Sequence, residues 1–382
     1  MANFDKIKSR KNTNCVKYDG AYRYFGTDIE HPLWVADMDF EVPKFLRKRL
    51  QKKVDFGIFG YEEISKEFYK SIIFWQKLQN NIILKKHNIV YSSSVVASFG
   101  ACVRAFSDIG DEVVVFSPVY YPFFSVIEEN ERRVLNQELV LDNGKYSIDF
   151  DKLKQSITPK TKLILFCSPH NPIGKIWSEK ELTKLANIAI ENNLFIVSDE
   201  IHCDIVFDKF ISMAKDERLK NRLIVLNSPS KTFNTAGLAS SYAFCYDIDM
   251  LRAFKTQLAS IHSNHLNNFS NVAMSVYSYK GKVWLIELLK YIQSNKTFVI
   301  EFLKFHKSKI KVIDSNATYL LWLDFREFGL SQKDLKQKLY DAKIGLNSGD
   351  SFGLGGVGFM RLNIATQNKN LIKVLEKLIK VF

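Results

Sequence analysis

Three side chains carry the clearest chemistry in this 382-residue chain: the primary amine of Lys231, the carboxylate of Asp199 and the carboxamide of Asn171. Each follows a short apolar run. Lys231 lies in Ser228-Pro229-Ser230-Lys231-Thr232-Phe233-Asn234, after the run 223–226. Asp199 closes the run 194–197 through Ser198, and Asn171 stands in the turn Asn171-Pro172-Ile173-Gly174 after the run 162–167. An amine that condenses with an aldehyde and a carboxylate that keeps a pyridine nitrogen protonated are parts of a pyridoxal phosphate (PLP) site. The protonated ring draws electrons from a broken Cα bond. Taken alone, Asp199 reads as a helix N-cap after a strand; it is the combination with Lys231 and Asn171 that points to a cofactor.

Such residues need a scaffold that brings strand ends together. Apolar, often β-branched runs at 89–91, 112–116, 162–167, 194–197, 223–226 and 242–245 alternate with amphipathic helical stretches. That alternation predicts an α/β fold with a mainly parallel central sheet and helices on both faces. Most runs end in polar clusters, such as Ser92-Ser93-Ser94, Ser168-Pro169-His170-Asn171 and Ser198-Asp199-Glu200. In open α/β sheets ligands bind beyond the carboxyl ends of the strands, so these clusters mark one crevice. From about 275 to 305 the pattern turns helical, and strands near 317–323 and 359–364 indicate a smaller α/β domain. The expected division is 1–45 as a segment packing with the small domain, 46–285 as the large cofactor-binding domain and 286–382 as the small one.

Composition narrows the alternatives. Lys and Arg exceed Asp and Glu by 54 to 41, a net charge of +13, which raises the question of a nucleic-acid partner. The excess is spread along the chain and mixed with acids, as in Lys66, Glu67 and Lys70, so it reads as solvated helix faces and no nucleic-acid partner is expected. Five cysteines stand far apart without a C-x-x-C pair, which fits a reducing cytoplasm. No apolar run is long enough to span a bilayer, so no membrane partner is expected. Gly353-Leu354-Gly355-Gly356-Val357-Gly358 spells G-x-G-x-x-G but precedes a strand instead of following one, so it is a loop near the substrate and no dinucleotide site. His262 and His265 lack a third ligand, and no metal is expected. Arg361, between apolar Met360 and Leu362, is a guanidinium in a strand that needs an anion to meet it.

Seven motifs in fixed order then carry a resemblance: Leu33-Trp34-Val35-Ala36-Asp37-Met38-Asp39-Phe40, Gly57-Ile58-Phe59-Gly60-Tyr61, Pro118-Val119-Tyr120, Pro169-His170-Asn171-Pro172-Ile173-Gly174, Ser198-Asp199-Glu200-Ile201-His202, Ser230-Lys231-Thr232-Phe233-Asn234 and Arg361-Leu362-Asn363. Together they resemble the PLP-dependent class I/II aminotransferase superfamily of fold type I, in its cystathionine β-lyase (C-S lyase) branch. The resemblance implies that Lys231 is the Schiff-base lysine and the base for the Cα proton, and that Asp199 pairs with the pyridine nitrogen. It places Asn171 and His202 on the phenolate side and Tyr120 against the ring. Ser228 and the amides of Ser94 and Val95 at a helix start would hold the phosphate, and Ser230 beside the lysine would also contact the cofactor. Tyr61 would reach that phosphate from the second subunit of a homodimer, and Arg361 would clamp the substrate carboxylate.

Two positions depart from the pattern. Ser94 stands where the family usually has Gly, and Ala239 stands eight residues after the lysine, where aminotransferase relatives place a phosphate-binding Arg. The implied reaction is α,β-elimination from a cysteine S-conjugate such as cystathionine, giving a thiol (homocysteine), pyruvate and ammonia. Transamination of an α-amino acid shares the same residue types, and only the lyase-like context with Ala239 favours elimination. A regulatory or nucleic-acid-binding protein that keeps the fold is the alternative of a different class; its DNA binding would be salt-dependent and survive Lys231→Ala.

Overall fold

A computed structural model describes residues 2–382. Seven strands build the large sheet: β1 (Ile89–Ser92), β2 (Glu112–Ser117), β3 (Arg133–Glu138), β4 (Thr161–Cys167), β5 (Phe195–Asp199), β6 (Leu223–Asn227) and β7 (Ser241–Phe244). Their spatial order is β1-β7-β6-β5-β4-β2-β3. All pairings are parallel except those of β7, which runs antiparallel to both β6 and β1. The sheet is therefore mixed by one reversed strand. An apolar run reads the same in either direction, so the sequence pattern located β7 without giving its sense.

Along β2, β4 and β5 the side chains alternate between two cores. Val114, Phe116, Ile164, Phe166 and Ile196 enter one, and Val113, Val115, Leu163, Leu165 and Val197 the other. Both faces are covered, which is why these strands are continuously apolar and do not alternate with polar residues. Helices Lys66–Asn80 and Glu179–Glu191 pack on the first face through Phe68, Ile72, Trp75 and Leu185. Helices Val95–Phe106 and Ile248–Ser260 pack on the second through Phe99, Val103, Phe254 and Leu258.

A second, wholly antiparallel sheet has the order Lys311–Val312, Leu320–Asp324, Phe359–Asn363, Asn347–Ser348. The helix Tyr279–Phe305 leads into it and is continuous across the 285/286 boundary, because Trp284, Leu285, Leu288, Ile292, Val299 and Leu303 keep one buried stripe through that point. Ahead of the large sheet, His31–Pro32 pairs in parallel with Ile344–Gly345. The Asn363 amide donates to Leu33 O at 3.0 Å and the Asp39 amide to Ala365 O at 2.9 Å. Beneath this segment lies a charge cluster. Fully buried Lys17 meets Asp39 at 3.0 Å, and Arg10 reaches Asp39 at 3.0 Å and Asp37 at 2.5 Å. A buried ammonium persists only with such partners.

Several strands escaped the sequence reading, among them the two-residue strands of the small sheet and of the His31–Pro32 pairing, an edge strand and a hairpin. Edge strand β3, Arg-Val-Leu-Asn-Gln-Glu, is half exposed and so carries no continuous apolar run. The hairpin Val140–Asp142/Lys145–Ser147 turns on Asn143-Gly144, both at positive φ (47° and 77°), a signature that was legible in the letters.

Candidate active site

The carboxyl ends of β2, β4, β5 and β6 open on one cavity. Its lining includes Ser94, Val95, Tyr120, Asn171, Asp199, His202, Ser228, Ser230 and Lys231, nine of the residues singled out from sequence. Two others, Tyr61 and Arg361, lie outside that lining. Ala36, Ser93, Phe99, Ile201, Ala239, Ser240 and Ser241 complete much of the wall.

Lys231 reaches the cavity from the short helix Pro229–Phe233, and each end of that helix is fixed locally. Ser228 Oγ accepts from the Ser230 amide at 3.0 Å, Pro229 occupies the first helical position, and Asn234 ends the helix at φ 57°. Lys231 Nζ donates to Ala36 O at 2.9 Å. Burial, and next the nearby Arg361, push its pKa down to about 8, while Asp37 and Asp199 pull the other way. The amine is thus partly neutral near physiological pH.

Asp199 ends β5, buried, and its carboxylate accepts one hydrogen bond, from the Ile201 amide at 3.1 Å. Burial pushes its pKa up to about 7 against that amide and Lys231. A buried carboxylate so thinly partnered suits a cationic N–H. His202 is also buried, with Nδ1 lacking any partner. Burial, and then the positive Lys231 and Arg361, hold its ring neutral. Tyr120 lies between, its hydroxyl pushed up to about 12 by burial, and its amide donates to Asn171 O at 3.2 Å.

Arg361 sits in the middle of Phe359–Asn363, opposite both Trp322 and Asn347. Only neutral acceptors touch it: Asn171 Oδ1 at 3.1 Å, Trp34 O at 2.7 Å and Asn347 Oδ1. Its Nε has no partner, and the guanidinium lies 5.1 Å from the Phe352 ring centroid. Burial pulls its pKa down to about 10, opposed chiefly by Tyr120. A buried guanidinium without a carboxylate partner, joined to the cavity wall through Asn171, is a site prepared for an anion.

The first residues of helix Val95–Phe106 also line the cavity. Ser94 Oγ caps it by accepting from the Ala97 amide at 3.1 Å, leaving the Val95 and Val96 amides without a protein acceptor. Free amides at a helix start attract an anion such as phosphate. Ser230 Oγ has no protein partner, whereas the Ser228 hydroxyl donates to Ser240 O at 2.7 Å and so forms part of the wall. Ala239, at φ 47°, brings no charge. The donor set therefore fits PLP: helix amides and a free hydroxyl for the phosphate, Asp199 for the ring nitrogen and Lys231 for the aldehyde. Tyr61 is fully exposed on the surface in the company of exposed Phe56, Ile58 and Phe59. Among the described residues no group of three His, Cys, Asp or Glu could hold a metal ion, and no helix is long and apolar enough to cross a membrane.

A pinned stretch of backbone joins Arg361 to Lys231. Trp34 O accepts from Arg361, Ala36 O from Lys231, and Val35 O and Asp37 O both from Asn363 Nδ2 at 2.6 Å. Asn234 brackets Met38 through its amide and carbonyl, at 3.0 and 2.9 Å, and reaches Phe40 O at 2.9 Å. Asn234 and Asn363 were noticed in sequence only as members of motifs; a carboxamide three residues after the amine and another two after the guanidinium hold the same segment.

The chain matches the family described as aminotransferase class I and II over residues 32–378. It belongs to that family. This family member is 37% identical over 368 residues to the cystathionine beta-lyase PatB of Bacillus subtilis, spanning 94% of this chain and 95% of that one. The structure of a PLP-bound putative aminotransferase from Clostridium difficile matches with a TM-score of 0.97 at 34% identity, covering 100% of both chains. Cystalysin from Treponema denticola, solved with a pyridoxal 5'-phosphate cofactor, matches at 0.96 and 33% identity, covering 100% of this chain and 98% of that one. The fold is the expected fold type I of PLP-dependent transferases.

Proposed function

We propose that this chain is a PLP-dependent carbon-sulfur lyase that catalyses α,β-elimination from cysteine S-conjugates such as cystathionine, releasing a thiol (homocysteine), pyruvate and ammonia. The observation that carries it is the joining, around one cleft, of the Lys231 amine, a thinly partnered buried carboxylate and a guanidinium without a counter-charge. PLP, when bound, supplies an electron sink beside the substrate Cα. Arg361 binds the substrate carboxylate with its planar fork and so orients the Cα–H bond. Lys231 Nζ takes the Cα proton. Asp199 would hold a proton on the ring nitrogen, Tyr120 would lie against the ring, and Asn171 and His202 would meet its phenolate oxygen. The Ser94, Val95 and Val96 region, with the Ser230 hydroxyl and with Ser228 in the wall, would hold the phosphate. The electron pair left at Cα forms the Cα=Cβ bond as the Cβ–S bond breaks, and the pair of that broken bond leaves with sulfur, which takes up a proton. The three-carbon enamine left behind takes up water and yields pyruvate and ammonia.

Elimination is favoured over transamination by the PatB likeness and by Ala239. The Clostridium difficile protein's description as a putative aminotransferase keeps amino-group transfer as the second reading. The proposal includes a cytoplasmic homodimer in which Tyr61 of one copy reaches the phosphate of the other, supported by the exposed apolar run Phe56, Ile58, Phe59 and Tyr61. It also includes the division into residues 1–45, 46–285 and 286–382. The test is the visible spectrum with PLP, followed by assays of pyruvate and thiol release from cystathionine beside a 2-oxo-acid-dependent transamination assay. An absorbance band with pyruvate and thiol is the expected result; a band with amino-group transfer alone overturns the lyase assignment.

A further inference from the structure

Ala36 O accepts two hydrogen bonds: Lys231 Nζ donates at 2.9 Å and Tyr319 Oη at 3.0 Å. A carbonyl oxygen has two lone pairs, so this acceptor is full. Tyr319 precedes the strand Leu320–Asp324 and is completely buried. Its ring meets that of His202 edge-on, with centroids 6.2 Å apart, so it stands behind the cavity wall and not in the lining. The hydroxyl has no other partner, and burial pushes its pKa far up, keeping it a neutral donor. The Ala36 carbonyl is held from both neighbours as well, since Val35 O and Asp37 O are tied to Asn363. A tyrosine with its only polar atom committed to the carbonyl that receives the reactive amine is more than core filling.

We propose that Tyr319 is a positioning residue for Lys231: its hydroxyl occupies one lone pair of Ala36 O and leaves the other as the docking point of the free amine. The proposal rests on the reading of Lys231 as the reacting amine. Two consequences follow. The amine rests at one defined point on the cavity edge, and the shared carbonyl is a weaker acceptor than an unshared one, so it favours the ammonium form less. The groups facing the amine are Arg361 from the small sheet, Asp37 from the N-terminal segment, and Asp199, His202 and Tyr120 from the strand ends. Tyr319→Phe alters none of them and removes only the competing donor.

The test measures the pH dependence of Lys231 acylation by acetic anhydride, followed by peptide mass spectrometry, in the full-length protein freed of PLP. Tyr319→Phe is expected to shift the midpoint upward by roughly half to one pH unit. Placing 3-fluorotyrosine, a stronger donor of the same shape, at position 319 is expected to shift it downward and guards against a Phe variant that folds poorly. Unchanged midpoints in both proteins, or shifts of the same sign, overturn the proposal. The readout needs neither cofactor nor turnover. Failure of the lyase reading therefore shows as absent thiol release with the midpoint shift intact.

Discussion

The start of helix Val95–Phe106 in the cavity wall and Arg361 just behind that wall are prepared for anions by opposite means. Near Arg361 one full charge is buried among neutral oxygens, with Nε left open. At the start of helix Val95–Phe106 the wall offers free amides and the Ser230 hydroxyl, and position 239 is Ala, where the resemblance implies an Arg in aminotransferases. A charge in low dielectric binds strongly but must be met, because an unmet one is costly. Amides and hydroxyls bind more gently and stay satisfied by water when the ligand leaves. The charged site thus suits a substrate fragment that comes and goes within each turnover, and the neutral site suits a group that the Lys231 bond also retains.

Removing the charge is the strongest way to break that contrast. Arg361→Ala should raise KM by roughly 10²-fold with a much smaller change in kcat, as initial-rate kinetics on cystathionine will read. Arg361→Lys should recover only part of it, because a point charge replaces the fork. Giving the neutral site a cation sharpens the comparison from the other side. Ala239→Arg should tighten PLP by roughly tenfold, measured by equilibrium titration of absorbance; no change would mean the side chain at 239 does not reach the phosphate.

The smallest effect concerns a carboxylate in the same cavity wall. Asp199 in the fold has a pKa raised to about 7 by burial, above its unfolded value of about 3.9. Its contribution to stability is therefore fully present below the unfolded value and lost as pH rises through the folded one. Without PLP, Asp199→Asn should melt progressively higher relative to the unaltered protein from pH 5 to pH 8. The difference should grow by on the order of 2 °C, read by calorimetry. A constant difference would show that the carboxylate carries no such burial penalty.

Much of this arrangement was legible because the same physics writes it twice. A strand buried on both faces must be continuously apolar, and where it ends the chain turns polar, so β2, β4, β5 and β6 announced both themselves and the site at their ends. Lys231, Asp199 and Asn171 could be grouped for that reason. The edge strand β3 could not, since half-exposed strands lack the run, and the reversed sense of β7 leaves no trace in periodicity. Tyr319 was also invisible: in Thr318-Tyr319-Leu320 it looks like one more aromatic core residue. Its meaning comes from a carbonyl 283 residues away. The pins Asn234 and Asn363 are likewise defined by backbone groups 194–196 and 326–328 residues distant, contacts that local patterns do not encode.

The central claim is that Lys231 is the amine that holds PLP. It is tested most directly by incubating the full-length protein with PLP, reducing with borohydride and locating the added mass by peptide mapping, with Lys231→Ala treated in parallel. The account predicts a visible absorbance band and a single modified peptide carrying the label on Lys231, both missing from the variant. A label on another lysine, or a band that persists in Lys231→Ala, would contradict it.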